Sequence, residues 1–142
     1  MRINTLVVLI FIVLIKGCAT AVYNVSIPGK SDIDRIFVSD GNSASLVATE
    51  NFGNVVLTGP KVELLIDFLG RINNNFLEPW ATLPPPKYTI EIITNSGKRS
   101  FLFVSADAIA GRIYDKNNRL LRVIRPLNKG EAKELESLAF SE

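Results

Sequence analysis

The 142-residue sequence contains no histidine, and its one cysteine is Cys18. Histidine is the commonest general base and a frequent zinc ligand. Its absence excludes Ser-His-Asp and Cys-His nucleophile pairs and the usual zinc sites. A single cysteine cannot form an intramolecular disulfide, so Cys18 has no partner within the folded chain. We therefore expect a protein that is not an enzyme and that holds neither a metal nor a cofactor.

The sequence also lacks an apolar run long enough to cross a membrane. The longest such run is residues 6–15, whereas a membrane-spanning helix needs about 20 apolar residues. A short run preceded by Arg2 and followed by Lys16 is typical of the hydrophobic region of a secretory signal peptide. Residues 1–17 are therefore predicted to direct export.

The residues that follow this run are Ile15, Lys16, Gly17 and Cys18. Their order resembles the lipobox of bacterial lipoproteins, which has an aliphatic residue, a variable small residue, Gly or Ala, and then Cys. Lys16 departs from the small residue usual in that family. The resemblance implies cleavage between Gly17 and Cys18 and attachment of acyl chains, such as palmitate, to Cys18. It also implies a lipid-anchored location in the cell envelope, and Ala19 resembles the second residue of lipoproteins sorted to an outer membrane.

Two other fates of the N-terminus remain open. Ala19-Thr20-Ala21 fits the small-x-small site of ordinary signal peptidase. Cleavage after Ala21 would release a soluble secreted or periplasmic protein without Cys18. If the segment is not cleaved, it would stay as an N-terminal anchor, with the Lys16 ammonium reaching the membrane interface.

The charge of the chain is almost balanced, with 16 basic and 14 acidic residues and a formal net charge of +2. Residues 1–17 contain Arg2 and Lys16 but no acidic residue, so the remainder has 14 basic and 14 acidic residues. Nucleic-acid binding requires a basic surface, so we expect no nucleic-acid partner. The expected contacts are with a membrane, through the lipid, and with a protein or cell-wall partner.

The pattern of apolar residues predicts one α+β domain at residues 32–142, preceded by a lipidated tether at residues 18–31. Two or three short strands are expected between residues 33 and 57, and Pro60 begins a helix with apolar residues at helical spacing. Four strands between residues 88 and 124, joined by short turns, are typical of an antiparallel meander. Asn128 and Glu131 predict a capping box at the start of a last helix. The order ββ(β)-α-ββββ-α indicates an antiparallel sheet of about five to seven strands with two helices packed on it.

Arginine is concentrated in residues 112–125, which carry five basic side chains and one acidic side chain. The candidate binding residues there are Arg112, Arg119, Arg122 and Arg125. A hairpin would bring Arg112 near Arg119 or a neighbouring residue across the turn, and arginine guanidinium groups suit phosphate or carboxylate ligands. The alternative is a solvated strand face, neutralised by glutamates of the last helix.

Phe76 and Trp80 form a second candidate, because they lie between an Asn-rich segment and three consecutive prolines. Tryptophan is favoured at recognition hot spots, and a stiff proline-rich segment would hold such a loop in place. The alternative is that Trp80 folds back and covers the core.

These observations favour a non-enzymatic, lipid-anchored envelope protein that acts as a binding or accessory module, or as an inhibitor or immunity partner. One alternative is a soluble domain that carries a small ligand or a lipid between its sheet and helices. The other is a hydrolase that works without histidine.

Overall fold

The computed structural model describes residues 21–41, 55–79, 85–115 and 117–140. Within them, one antiparallel sheet of eight strands is accompanied by two α-helices, and the predicted α+β class is confirmed with more strands than expected. The strands are β1 (Val22–Tyr23), β2 (Ile33–Asp40), β3 (Val55–Leu57), β4 (Phe76–Leu77), β5 (Tyr88–Thr94), β6 (Arg99–Val104), β7 (Ala108–Tyr114) and β8 (Leu120–Pro126). The helices are α1 (Pro60–Arg71) and α2 (Lys129–Phe140), and Lys30–Asp32 forms a 3₁₀ turn before β2.

The strand order across the sheet is β1-β4-β8-β7-β6-β5-β2-β3. Strands β5 to β8 form the predicted antiparallel meander at its centre. Gly97, in the turn between β5 and β6, has φ 77°, and Asn118, in the turn between β7 and β8, has φ 64°. Glycine and asparagine are the residues that adopt this left-handed conformation most readily. These two turns could therefore be predicted from the sequence.

Both helices pack on the same face of the sheet. Helix α1 begins at Pro60 and buries Leu65, Ile66 and Leu69 of its apolar stripe together with Phe68, which is 1% exposed. Helix α2 contributes Leu135 and Ala139, which are 0% and 1% exposed. The largest fully buried side chains that meet them include Ile36, Phe76, Ile90, Leu102, Ile109 and Val123.

Part of the segment expected to be a tether contacts the described sheet. Val22 and Tyr23 form β1, which pairs with β4. Val25 is 3% exposed, and its N–H donates to the Asn73 carbonyl oxygen at 2.9 Å. The boundary at residue 32 stays a prediction, and the described residues 22–25 contact the sheet although they precede it. Strands β1 and β4 were not predicted, because each has only two residues, too few to show the alternation of apolar and polar residues that indicates a strand. The return strand expected at residues 44–49 lies outside the described residues.

Candidate functional site

The sheet has a second face, opposite the helices. Side chains point to alternate faces along each strand, so the strand register assigns every paired residue either to the core face or to the opposite face. We call the opposite face the open face. In the described part of the chain, both helices lie on the core face, and no helix covers the open face.

A band of apolar residues crosses the centre of the open face. Leu77, Ile124, Ala110 and Phe103 lie directly opposite one another on the adjacent strands β4, β8, β7 and β6. Ala110 is 4% exposed, whereas the other three are half-buried. We call these four residues the apolar row. At about 4.8 Å between strands, the row extends for about 14 Å, slightly more than the diameter of about 10–12 Å of a helix with its side chains.

Two arginines lie beside the apolar row. Arg112 on β7 is directly opposite Arg122 on β8, and both side chains are exposed. No acidic side chain of the described residues lies within ion-pair distance of either arginine. Like charges directly opposite each other destabilise a sheet. This arginine pair therefore presents two adjacent guanidinium groups that are free to bind an anionic group.

Within the described strands, Glu91 is the acidic residue that the register places on the open face. Its charge is already neutralised. Glu91 lies between Phe101 and Phe37 on the neighbouring strands, and its side chain is 6% exposed. Its carboxylate accepts a hydrogen bond from Arg99 Nε, and this bond raises the pKa of Arg99. The Arg99 guanidinium also lies 5.7 Å from the centre of the Phe101 ring. Glu91 therefore contributes no free negative charge to balance the arginine pair.

Arg119 is separated from the arginine pair and binds within its own turn. Its Nε donates to Asp115 Oδ2 at 2.8 Å, and its backbone N–H donates to Asp115 Oδ1 at 2.8 Å. The bond from the backbone N–H of Arg119, followed by the guanidinium, lowers the pKa of Asp115. Arg119 therefore stabilises the β7–β8 turn, and its charge is compensated there.

Arg125 lies on the core side of β8 and pairs with the last helix. Its guanidinium donates to both carboxylate oxygens of Glu131, at 2.9 and 3.2 Å, and its side chain is 14% exposed. This bond is also the main reason why the pKa of Glu131 is lowered. The alternative reading of the arginine-rich segment, neutralisation by the last helix, thus applies to Arg125 but not to Arg112 or Arg122.

The aromatic candidates are not on the open face. Phe76 is 1% exposed and packs in the core, on the side of β4 opposite Leu77. Burial removes its side chain from any surface of the described structure, so we leave it out of the candidate site. Trp80 lies outside the described residues, as do Gly17 and Cys18.

Sequence reasoning found Arg112 and Arg122 but missed the apolar row. One signal was present, because Phe101, Leu102, Phe103 and Val104 are four consecutive apolar residues in β6. A strand that is apolar at successive positions has two apolar faces rather than one. The partners of Phe103 on other strands could not be found this way, because they depend on the register.

Comparisons with known proteins give little further information. No protein-family model and no curated protein matches the chain. A crystal structure described as a "Putative Lipoprotein from Clostridium perfringens" superposes with a TM-score of 0.49 and 20% sequence identity. The match covers 76% of this chain and 84% of that protein. A likeness at this level does not indicate what this chain does.

The described residues lack two other features. None of their helices combines the length and apolar character required to span a bilayer. No three acidic or cysteine side chains among them lie close enough together to bind a metal ion.

Proposed function

We propose that this chain is a lipid-anchored protein of the bacterial cell envelope whose domain binds a partner without catalysing a reaction. The proposed anchor is an acylated Cys18, on the strength of the lipobox-like residues 15–18. The proposed binding surface is the open face. The accessory, inhibitor and immunity roles are all forms of this one activity, because each requires a stable protein-binding surface.

The observation that supports this proposal is the arginine pair beside the apolar row. Arginine guanidinium groups bind carboxylates in a planar, two-point geometry, and a flat apolar strip stabilises a complex when it is removed from water. The partner that fits both is a protein segment with an apolar side bordered by Asp or Glu. A second copy of the chain fits poorly with open face against open face, because its own Arg112 and Arg122 would add positive charge to the same surface.

A carrier of lipid between sheet and helices has less support. Such a carrier needs a cavity at that interface. In the described residues the centre of the interface is filled by large side chains, including Phe68, Phe76 and Leu135, each 1% exposed or less. The cleft at its end, between Tyr88 and Ala132, is only about 200 Å³, below the range usual for small-molecule sites. We therefore place binding on the surface of the domain.

The first experiment tests the anchor by mass spectrometry of the N-terminal peptide from native cells. The expected peptide begins at Cys18 and carries acyl chains. A peptide that begins at Val22, or one that retains Met1 without lipid, contradicts the proposed anchor and leaves the binding surface to be judged separately.

The second experiment tests the surface with a photo-crosslinking amino acid at Phe103, in the apolar row, in native envelopes. We expect one or a few proteins to be crosslinked. The double substitution Arg112→Gln and Arg122→Gln should reduce this crosslinking about tenfold, because buried charge-assisted hydrogen bonds are lost. The matched control is Lys129→Gln with Lys133→Gln, which removes the same charge from exposed positions of α2.

Three results contradict the proposed surface. One is the absence of any specific crosslinked protein. Another is equal crosslinking by the arginine and lysine double variants. The third is crosslinking to lipid alone, which would assign the open face to the bilayer.

A further inference from the structure

Strands β6 and β7 separate at one end of the sheet. Their pairing stops at Phe101 and Arg112, although β6 begins at Arg99 and β7 continues to Tyr114. Each strand keeps its other neighbour there, because Arg99 still pairs with Ile93, and Tyr114 still pairs with Leu120. The sheet is thus split between its two central strands rather than frayed at an edge.

A cleft of about 490 Å³ lies at this split. Its lining residues come from the N-terminal segment, the β5–β6 turn and the β7–β8 turn, and they are almost all polar. They are Ser26, Pro28, Asp32, Thr94, Asn95, Ser96, Lys98, Ser100, Tyr114, Asp115 and Asn118. A volume of this size is within the range of small-molecule sites, but such sites are usually apolar.

Five of the lining side chains have unused hydrogen-bonding capacity. Ser26, Asp32, Ser100, Tyr114 and Asn118 make no side-chain hydrogen bond with another described residue. Ser100 is the most informative of them, because it is only 7% exposed. Its hydroxyl oxygen is not among the fully buried, unpaired atoms of the described residues, so a ligand in the cleft can reach it and supply a hydrogen-bond partner.

Other lining residues hold the cleft in shape. Asn95 Nδ2 donates to the Ser31 carbonyl oxygen at 2.8 Å, and the Thr94 and Ser96 hydroxyl oxygens lie 2.9 Å apart. On the opposite wall, Asp115 accepts from the backbone N–H of Asn117 at 2.9 Å. These bonds fix both turns, so little ordering is required when a ligand binds.

We propose that this cleft binds a saccharide of one or two rings. Sugar hydroxyls both donate and accept hydrogen bonds, as do the three hydroxyl groups and the amide that are free in the cleft. The Asp32 carboxylate adds a strong acceptor, and Tyr114 adds an aromatic ring. The ammonium of Lys98 lies 5.7 Å from the centre of that ring. The cleft shares no residue with the arginine pair or the apolar row and does not depend on the partner proposed for them.

The test is a titration of the purified full-length chain, in detergent, followed by amide chemical shifts in NMR. The probes are N-acetylglucosamine, its β-1,4-linked dimer, glucose and maltose, with glycine and alanine as small zwitterions. We expect saturable shifts at Ser96, Ser100 and Asn118 with at least one sugar, at a Kd of about 1 mM or below.

Two substitutions connect the shifts to the cleft. Asp32→Asn and Ser100→Ala should each weaken binding about tenfold, because each removes a hydrogen-bonding group from the ligand. The control Ser137→Ala, at an exposed position of α2, should leave the Kd unchanged. Because Asp32 is exposed, its variant is expected to fold even if Ser100→Ala does not.

The proposal is overturned if none of the four sugars shifts these amides. It is also overturned if glycine or alanine produces the same shifts, or if both variants bind like the original chain. None of these results bears on Cys18 or on crosslinking at Phe103, so the two proposals can fail separately.

Discussion

Glu131 has two structural roles at the start of α2. Its carboxylate accepts from the Asn128 backbone N–H, while Asn128 Oδ1 accepts from the Glu131 N–H, each at 2.9 Å. The same carboxylate neutralises Arg125 on β8. The capping box was predictable, because its two residues are three positions apart in sequence. The ion pair was not assigned from sequence, because it depends on how α2 packs against β8.

Replacing Glu131 should therefore be costly for a residue on a helix surface. We expect Glu131→Ala to lower the free energy of unfolding by about 2 kcal/mol, because it removes the cap and leaves the largely buried Arg125 guanidinium without its carboxylate. Urea denaturation measures this change. Ser137→Ala, on the exposed side of the same helix, should change the free energy by less than about 0.5 kcal/mol.

Unlike the Glu131 carboxylate, the Tyr88 hydroxyl is buried without a hydrogen-bond partner among the described residues. The ring is 3% exposed and packs edge-to-face on Phe140 at 5.0 Å. Burial also raises the pKa of Tyr88.

Tyr88→Phe should leave the free energy of unfolding unchanged or raise it by about 1 kcal/mol, because the variant no longer buries an unsatisfied hydroxyl. With a folded-state pKa above the unfolded value, Tyr88 also makes the original chain lose stability as the pH rises above about 10. The variant should lose less. Chemical denaturation at neutral and alkaline pH measures both effects, and a large loss of stability at neutral pH would show that the hydroxyl has a partner after all.

At the scale of secondary structure, sequence patterns located the elements made by local interactions. Helix α1, helix α2 and the β5–β8 meander have periodic apolar residues and recognisable caps or turns. Strands β1 and β4 have neither, and they form only because distant segments meet at the edge of the sheet. Val25 is buried for the same reason, since its contacts come from a segment about fifty residues away, near Asn73.

The contribution of residues 22–25 to the stability of the domain can be tested with two valines. Val25→Ala should lower the free energy of unfolding by about 1–2 kcal/mol, because it removes buried methyl groups. Val22→Ala should have little effect, since Val22 is 62% exposed. If urea denaturation gives equal, small changes for both, the segment before residue 32 behaves as the tether that the sequence predicted.

At the scale of the whole molecule, the charges of the sequence are balanced in number but unevenly distributed over the surface of the described residues. Glu131 and Glu134 neutralise Arg125 and Arg71 on the helix side. The open face keeps Arg112 and Arg122 without a partner among the described residues. Composition predicted a neutral domain, and only the strand register shows where its positive charge remains.

The arginine pair should reduce stability slightly. We expect Arg122→Gln to raise the free energy of unfolding by a few tenths to about 1 kcal/mol at low salt, because it relieves repulsion with Arg112. The gain should shrink at about 1 M salt, where charges are screened. Urea denaturation at both salt concentrations measures this. Arg119→Gln, which loses the guanidinium bonds to Asp115, should instead lower stability, and a similar loss for Arg122→Gln would give that arginine a structural role.

The pH dependence of stability should be simple. With no histidine, no side chain has an ordinary pKa in the range of about 6 to 8. Asp115 and Glu131 have lowered pKa values in the folded chain, so their contribution is complete above the unfolded values and is lost as the pH falls through the folded ones. We expect a constant midpoint of thermal unfolding from about pH 6 to 8 and a decrease below about pH 4. A change near pH 6.5 would contradict this assignment.

The position of β1 sets how far the domain can stand from a bilayer. If Cys18 is acylated as proposed, only residues 19–21 separate it from Val22, the first residue of the sheet. Four residue steps reach at most about 14 Å, less than half the thickness of the hydrocarbon core. The sheet edge formed by β1 would then stay beside the lipid headgroups, and any protein that meets the arginines would do so close to the membrane surface.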